Sequence, residues 1–109
     1  MSDVLGAFEQ AVLLALVRLR HEAYGRAILK EVQTRLDREV AAGAVYATLD
    51  RLEDKNLISS RLASGTAIRG GRPRRYYSIG AAGLRGLNES RAALDNLWSG
   101  IVWPIGRRT

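Results

Sequence analysis

Residues 42–60, AGAVYATLDRLEDKNLISS, constrain this chain more than any other stretch. They read as one short amphipathic helix, about Gly43 to Lys55, that turns directly into a strand. Val45, Leu49 and Leu52 fall at i, i+4 and i+7, so they share one face and must pack inward. Ala44, Ala47, Asp50 and Arg51 are left on the opposite face, with Tyr46 at its edge. An outward face this small lets a helix approach another surface closely. Asn56 tolerates the left-handed conformation and is expected to end the helix, and Leu57, Ile58 and Leu62 to form the strand.

The elements around that stretch follow from the same patterning. A first helix is expected to start from a cap at Ser2 or Asp3 and to run to about Arg20, with Leu5, Phe8, Val12, Leu16 and Leu19 as a broad apolar stripe. His21 to Ala23 breaks the pattern. A second helix covers about Tyr24 to Leu36, with Ile28, Leu29, Val32 and Leu36 inward. The connection Asp37 to Ala42 is short, and Val40 is read there as a one-bridge strand. After the third helix and its strand, residues 63–73, ASGTAIRGGRP, form a glycine-rich loop, and Arg74 to Ile79 returns as a second strand to make a hairpin. A last helix begins after Gly80 and runs to about Ser99, and Pro104 stops any continuation.

At 109 residues the chain is one domain, or one domain plus a helix that serves another purpose. It has no cysteine, which excludes a disulfide framework and thiolate metal sites and fits a reducing, cytoplasmic setting. The single histidine, His21, has no companion at metal-ligand spacing, so no metal or other cofactor is expected. No nucleophile–base or paired-carboxylate arrangement can be argued either, so the chain is not expected to be an enzyme. Its longest apolar run, residues 11–17, is too short to span a bilayer, and no membrane partner is expected. The net charge of +6 points to nucleic acid, an anionic membrane surface or an acidic partner. Its distribution says more: between Leu57 and Gly80 lie five arginines and no acid.

The order helix, helix, helix, strand, basic loop, strand, helix gives the expected fold class: mainly α with a small β-hairpin, a winged helix-turn-helix plus a C-terminal dimerisation helix. Residues 1–80 would form the DNA-binding domain and residues 81–109 the dimerisation helix and tail. In such a module the third helix enters the major groove with its N-terminal end leading. Ala42, Gly43, Ala44 and Ala47 would permit close approach, while Tyr46, Thr48 and Arg51 would donate to phosphates or base edges. Arg69, Arg72, Arg74 and Arg75 of the hairpin suit phosphate or the minor groove. In a strand Arg74 and Arg75 alternate sides, so only one of the pair is expected to point at DNA. Tyr24 serves either a phosphate contact or the interior, Tyr46 either a phosphate contact or the core edge, and Arg51 either a base contact or an ion pair with an acid.

The leucine row of the last helix has no further partner in its own chain, and leaving it exposed would create an apolar patch larger than monomers usually carry. A homodimer is therefore expected, built from Leu5, Phe8 and Val12 of the first helix and Leu84, Leu87, Leu94, Leu97 and Trp98 of the last.

The run Gly43 to Glu53, then Leu57-Ile58, then Gly71-Arg72-Pro73-Arg74-Arg75-Tyr76-Tyr77, resembles the PadR family of transcriptional regulators. Tyr24-Gly25 followed by Ile28, and Gly83 with Leu84 and Leu87, match the same pattern, so the resemblance covers about Leu5 to Leu97. It implies a winged helix-turn-helix homodimer of the short subgroup with a single last helix, usually a repressor on a pseudo-palindromic double-stranded DNA operator. It also implies that an aromatic at the dimer centre can stack on a planar ligand, which makes Trp98 a candidate effector contact. Two positions depart from the family pattern: Gly80 replaces a usual threonine and Asn56 a usual glycine. The alternative from a different class is a winged-helix module whose basic wing meets an acidic protein.

Overall fold

The computed structural model describes residues 4–63 and 73–106. Its elements run α1 (Ala7–Leu19), a short 3-10 turn (Arg20–Glu22), α2 (Gly25–Leu36), α3 (Ala42–Asp54), β1 (Ile58–Leu62), β2 (Arg75–Ile79) and α4 (Ala81–Trp98). The expected class, helices with one small hairpin, is the one observed. The expected caps Ser2 and Asp3 lie outside the described residues, and α1 begins later than expected. Gly6 precedes its first turn, and the Gly6 N–H donates to Oε1 of Glu9 at 3.1 Å, tying off one otherwise unpaired donor.

The core forms where the periodic apolar positions of α1, α2 and α3 converge. Val12, Leu13 and Leu16 of α1 meet Ile28 and Val32 of α2 and Val45, Leu49 and Leu52 of α3, closed below by Ile58 and Tyr77 of the hairpin. Burying a side chain of this size contributes roughly 1.5–3 kcal/mol relative to exposure. Two expected dimer contacts belong here instead. Val12 is fully buried and Leu5 nearly so within a single chain, so neither is available to a partner. Phe8 is half-buried and packs on the same core.

The turn between α2 and α3 is set by Asp37, which ends α2 in the left-handed region at φ 55°. The Val40 N–H then donates to Oε1 of Gln33 at 3.0 Å, so Val40 is held by a side chain rather than by the expected strand bridge. That bridge falls elsewhere: Tyr24 pairs with Tyr76, and the Tyr77 N–H donates to the Ala23 carbonyl at 2.8 Å. The approach to α2 is thereby pinned to the free edge of β2 by one isolated bridge, beside a sheet of two strands. At the other end of α3, Asn56 adopts φ 63°, as expected of its left-handed tolerance. The Asn56 N–H donates to the Glu53 carbonyl and the Leu57 N–H to the Leu52 carbonyl, the paired closure that stops a helix sharply. The chain can then enter β1 with no spacer. β1 and β2 are antiparallel, with Ile58 opposite Ile79 and Leu62 opposite Arg75.

α4 packs closely on this body through the segment from Gly83 to Ser90. Gly83 is buried because the helix backbone passes over the Leu57 carbonyl, where a Cβ would come within 2.5 Å of the oxygen. One turn beyond Gly86, the buried Ser90 hydroxyl accepts the Leu5 N–H at 2.9 Å. Past Ser90 the helix leaves the body. Leu94 is 46% exposed and Leu97 76%, so the last turns bury little in their own chain. The radius of gyration, 16.5 Å, exceeds the ~13 Å expected of a compact chain of this length, and the long axis is 60 Å.

Candidate nucleic-acid interface

One side of α3 faces away from the core, between the hairpin and the start of α2. On it Gly43, Ala44, Tyr46, Ala47, Asp50 and Arg51 are all exposed. Among the described residues, a Cβ on Gly43 would meet nothing within 4 Å, so packing within the chain does not require glycine there. Ala41 precedes the helix without a side-chain cap, and Ala42 and Gly43 open it at the surface. The uncapped N–H groups and the helix dipole favour an anion at this end.

Thr48 does not join this face. It is 2% exposed and lies under Arg51, whose Nη2 donates to its hydroxyl at 3.2 Å. The expectation that Thr48 contacts base edges is therefore corrected. Thr48 falls inside the Val45–Leu49–Leu52 stripe, and its hydroxyl orients Arg51.

Tyr46 flanks the face on the side of α2. Its ring crosses Gly25 so closely that a Cβ there would overlap the ring. The glycine at the start of α2 thus lets α2 and α3 approach with Tyr46 between them. Beside this contact lies an open depression of about 460 Å³, bordered by Tyr24, Gly25, Arg26, Tyr46, Arg74, Arg75 and Tyr77.

The strand alternation expected of Arg74 and Arg75 is present, but both border this depression. Arg74 lies over the Tyr24 ring, 4.1 Å from its centre. Tyr24 meets Tyr76 edge-on at 5.8 Å, and Arg61 lies 5.2 Å from the centre of the Tyr76 ring. Cations over aromatic faces are attracted by the ring quadrupole, so this ladder holds two guanidinium groups beside the hairpin while leaving them solvated. A hydrogen bond with Tyr76 keeps the Arg74 guanidinium even more firmly protonated than usual. On the other side of the strand, Nη1 of Arg75 donates to the Ser60 hydroxyl at 2.9 Å, and that hydroxyl donates to Glu53 at 2.8 Å. Tyr77 turns inward, and burial pushes its phenol up.

Tyr24, Tyr46, Arg74 and Arg75 are thus gathered at one place, with Ala42, Gly43, Ala44 and Ala47 on the adjoining helix face and Arg51 at its far edge. Arg69 and Arg72 lie outside the described residues. Arg26 and Gly25 border the depression but were not among the sequence candidates. Their proximity to the hairpin follows from the Tyr24–Tyr76 bridge, a long-range pairing with no local signal. The described part of the chain has no cluster of groups suited to a metal ion and no helix long and apolar enough to cross a membrane.

At the other end, Leu84, Leu94, Leu97 and Trp98 are exposed along α4, and Leu87 is half-buried. Trp98 meets Trp103 edge-on at 5.5 Å. Leu94 and Leu97 also line an apolar groove of about 530 Å³ between α4 and α1, together with Leu14 and Ala11.

The comparisons with known proteins agree with this architecture. Residues 13–89 match the transcriptional regulator PadR-like family. A PadR family transcriptional regulator from Eggerthella lenta is 34% identical, with 83% of this chain and 76% of that one aligned at a TM-score of 0.65. A PadR family transcription regulator from Clostridium difficile is 27% identical over 87% of this chain and all of that one (100%), at a TM-score of 0.62. No curated protein matches. The family is one of transcriptional regulators and not of enzymes. With the matched segment running from α1 to α4 and the hairpin placed beside α3, the chain belongs to the PadR-like family of transcriptional regulators.

Proposed function

We propose that the chain is a homodimeric repressor that binds a pseudo-palindromic operator, with residues 1–80 gripping DNA and residues 81–109 forming the dimer contact and tail. The observation that carries this reading is the convergence of Tyr24, Arg26, Tyr46, Arg74 and Arg75 on one depression beside the exposed face of α3. Arginines and tyrosines at that distance from a groove-reading helix suit the phosphates that flank a major groove. Arg69 and Arg72, which lie outside the described residues, add to the positive charge of this part of the sequence and are proposed as further phosphate contacts. Gly43, Ala44 and Ala47 allow α3 to enter the groove, and Arg51 at its edge reaches base or phosphate.

Exposed Leu84, Leu94, Leu97 and Trp98 support pairing through α4 with a second copy, which would set two α3 helices one helical turn, or a multiple of it, apart on DNA. The exposed Trp98–Trp103 pair offers an aromatic surface at that junction for a small planar effector that releases the repressor.

Selection of bound genomic fragments tests the reading. Recovery of one inverted-repeat sequence, with affinity falling at a log–log salt slope of roughly −0.9 per neutralised phosphate, is the expected result. Failure to enrich any fragment, or binding indifferent to salt, would overturn it in favour of an acidic protein partner.

A further inference from the structure

We infer that Asp50 reads a base, selecting cytosine at one position of each half-site through the exocyclic amine; the inference rests on the DNA-binding reading above. Gly43, Ala47 and Asp50 follow at i, i+4 and i+7 down the middle of the exposed face of α3. Within residues 43–51, Val45, Thr48 and Leu49 are buried, which leaves Tyr46, Asp50 and Arg51 as the outward side chains longer than a methyl group. Tyr46 is turned against Gly25 at one edge, and Arg51 is tied to Thr48 at the other. Asp50 stands between them. Among the described residues it joins no salt bridge.

A carboxylate at this place is costly if it serves only phosphate binding, because it repels the backbone that the arginines attract. Its chemistry fits a base edge better. An ionised carboxylate only accepts hydrogen bonds, so it is repelled by the O6 and N7 acceptors of guanine and by O4 of thymine. Adenine presents an N6 donor, but beside the N7 acceptor. Cytosine presents its N4 donor with no acceptor of its own next to it, and a carboxylate is matched to that edge. The missing side chain at Gly43 and the methyl of Ala47 leave the helix axis free to come near enough for so short a side chain to reach.

The test is selection from randomised duplexes with the full chain and with Asp50→Ala and Asp50→Asn. The native chain should recover sites with cytosine at one position of each half-site, and replacing that cytosine by thymine should weaken binding by about tenfold. Asp50→Ala should bind both sites equally. Asp50→Asn should move the preference to adenine, whose N6 and N7 a carboxamide matches. Unchanged thermal unfolding of both variants confirms that the fold is intact, as befits an exposed position. If both variants recover the same bases as the native chain at every position, Asp50 does not read DNA and the proposal falls. A native chain that enriches no sequence at all would instead remove the DNA-binding reading itself.

Discussion

The buried hydroxyl of Thr48 accepts a hydrogen bond from Nη2 of Arg51, three residues further along α3, at 3.2 Å. An exposed arginine is therefore held by a side chain that contributes no surface of its own. Replacing Thr48 by Val keeps the volume but removes the acceptor, at a stability cost of about 0.5–1.5 kcal/mol. Operator affinity should fall in Thr48→Val by less than in Arg51→Ala. In a double-mutant cycle Thr48→Val should have no further effect on binding once Arg51 is Ala. Independent, additive losses in a titration against operator duplex would show that Thr48 acts without Arg51.

Two glycines make opposite predictions. Gly83→Ala would place a methyl group against the Leu57 carbonyl and Ile79. Neither α4 nor the Leu57 backbone can yield there without disturbing the core, so the variant should lose about 1–3 kcal/mol. Gly25→Ala meets the Tyr46 ring instead, near its hydroxyl end. A ring at 43% exposure can swing outward, so the melting temperature should change less than in Gly83→Ala while operator affinity drops. Calorimetry and a binding titration on the same two preparations check both statements.

Glu9 links α1 to α3 through Lys55 Nζ, 3.2 Å from its Oε2. Partial burial pushes the Glu9 carboxyl up, but the Gly6 N–H, the Lys55 ammonium and the Arg51 guanidinium outweigh it and hold the carboxyl below its ordinary value. A carboxyl lowered on folding stabilises the fold above its unfolded pKa, and that stability is lost as pH falls through the folded value. The contribution should thus be complete above pH ~4.3 and disappear below it. With Lys55 half exposed, its size should stay under about 1 kcal/mol. Denaturant unfolding of Glu9→Gln should match the native chain at acid pH and fall below it at neutral pH. A constant difference across the range would place the loss outside this ionisation.

Much of the fold was legible because local patterns and tertiary needs coincide. The Val45–Leu49–Leu52 stripe, the left-handed Asn56 and the alternation of Arg74 to Tyr77 each appear as residue spacing before they appear as structure. At Thr48 position outweighs the hydroxyl: three residues after Val45 and four before Leu52, it falls on the buried stripe. The side on which a broad stripe meets its own chain is harder to read. In α1 it is Val12, Leu13 and Leu16 that turn inward, while Leu14 and Val17 stay 40% exposed, and no period distinguishes the two halves of an almost wholly apolar turn. The Tyr24–Tyr76 bridge was invisible for another reason. It joins residues far apart in sequence and needs no strand pattern at Tyr24. That bridge brings Arg26 beside the hairpin, so part of the candidate interface could not be found from sequence.

Leu94 and Leu97 set the sharpest test of the dimer. Leu87 is half-buried in its own chain, and a charge there would damage the monomer along with any interface. Leu94 and Leu97, at 46% and 76% exposure, bury far less in the single chain. Leu94→Asp with Leu97→Asp should therefore leave the helical content intact and shift the mass measured by light scattering from two chains to one. Operator binding should weaken with it, because two half-sites held by one assembly profit from effective concentration that separate chains lack. A double variant that keeps the mass of two chains would place the dimer contact elsewhere than on the free end of α4.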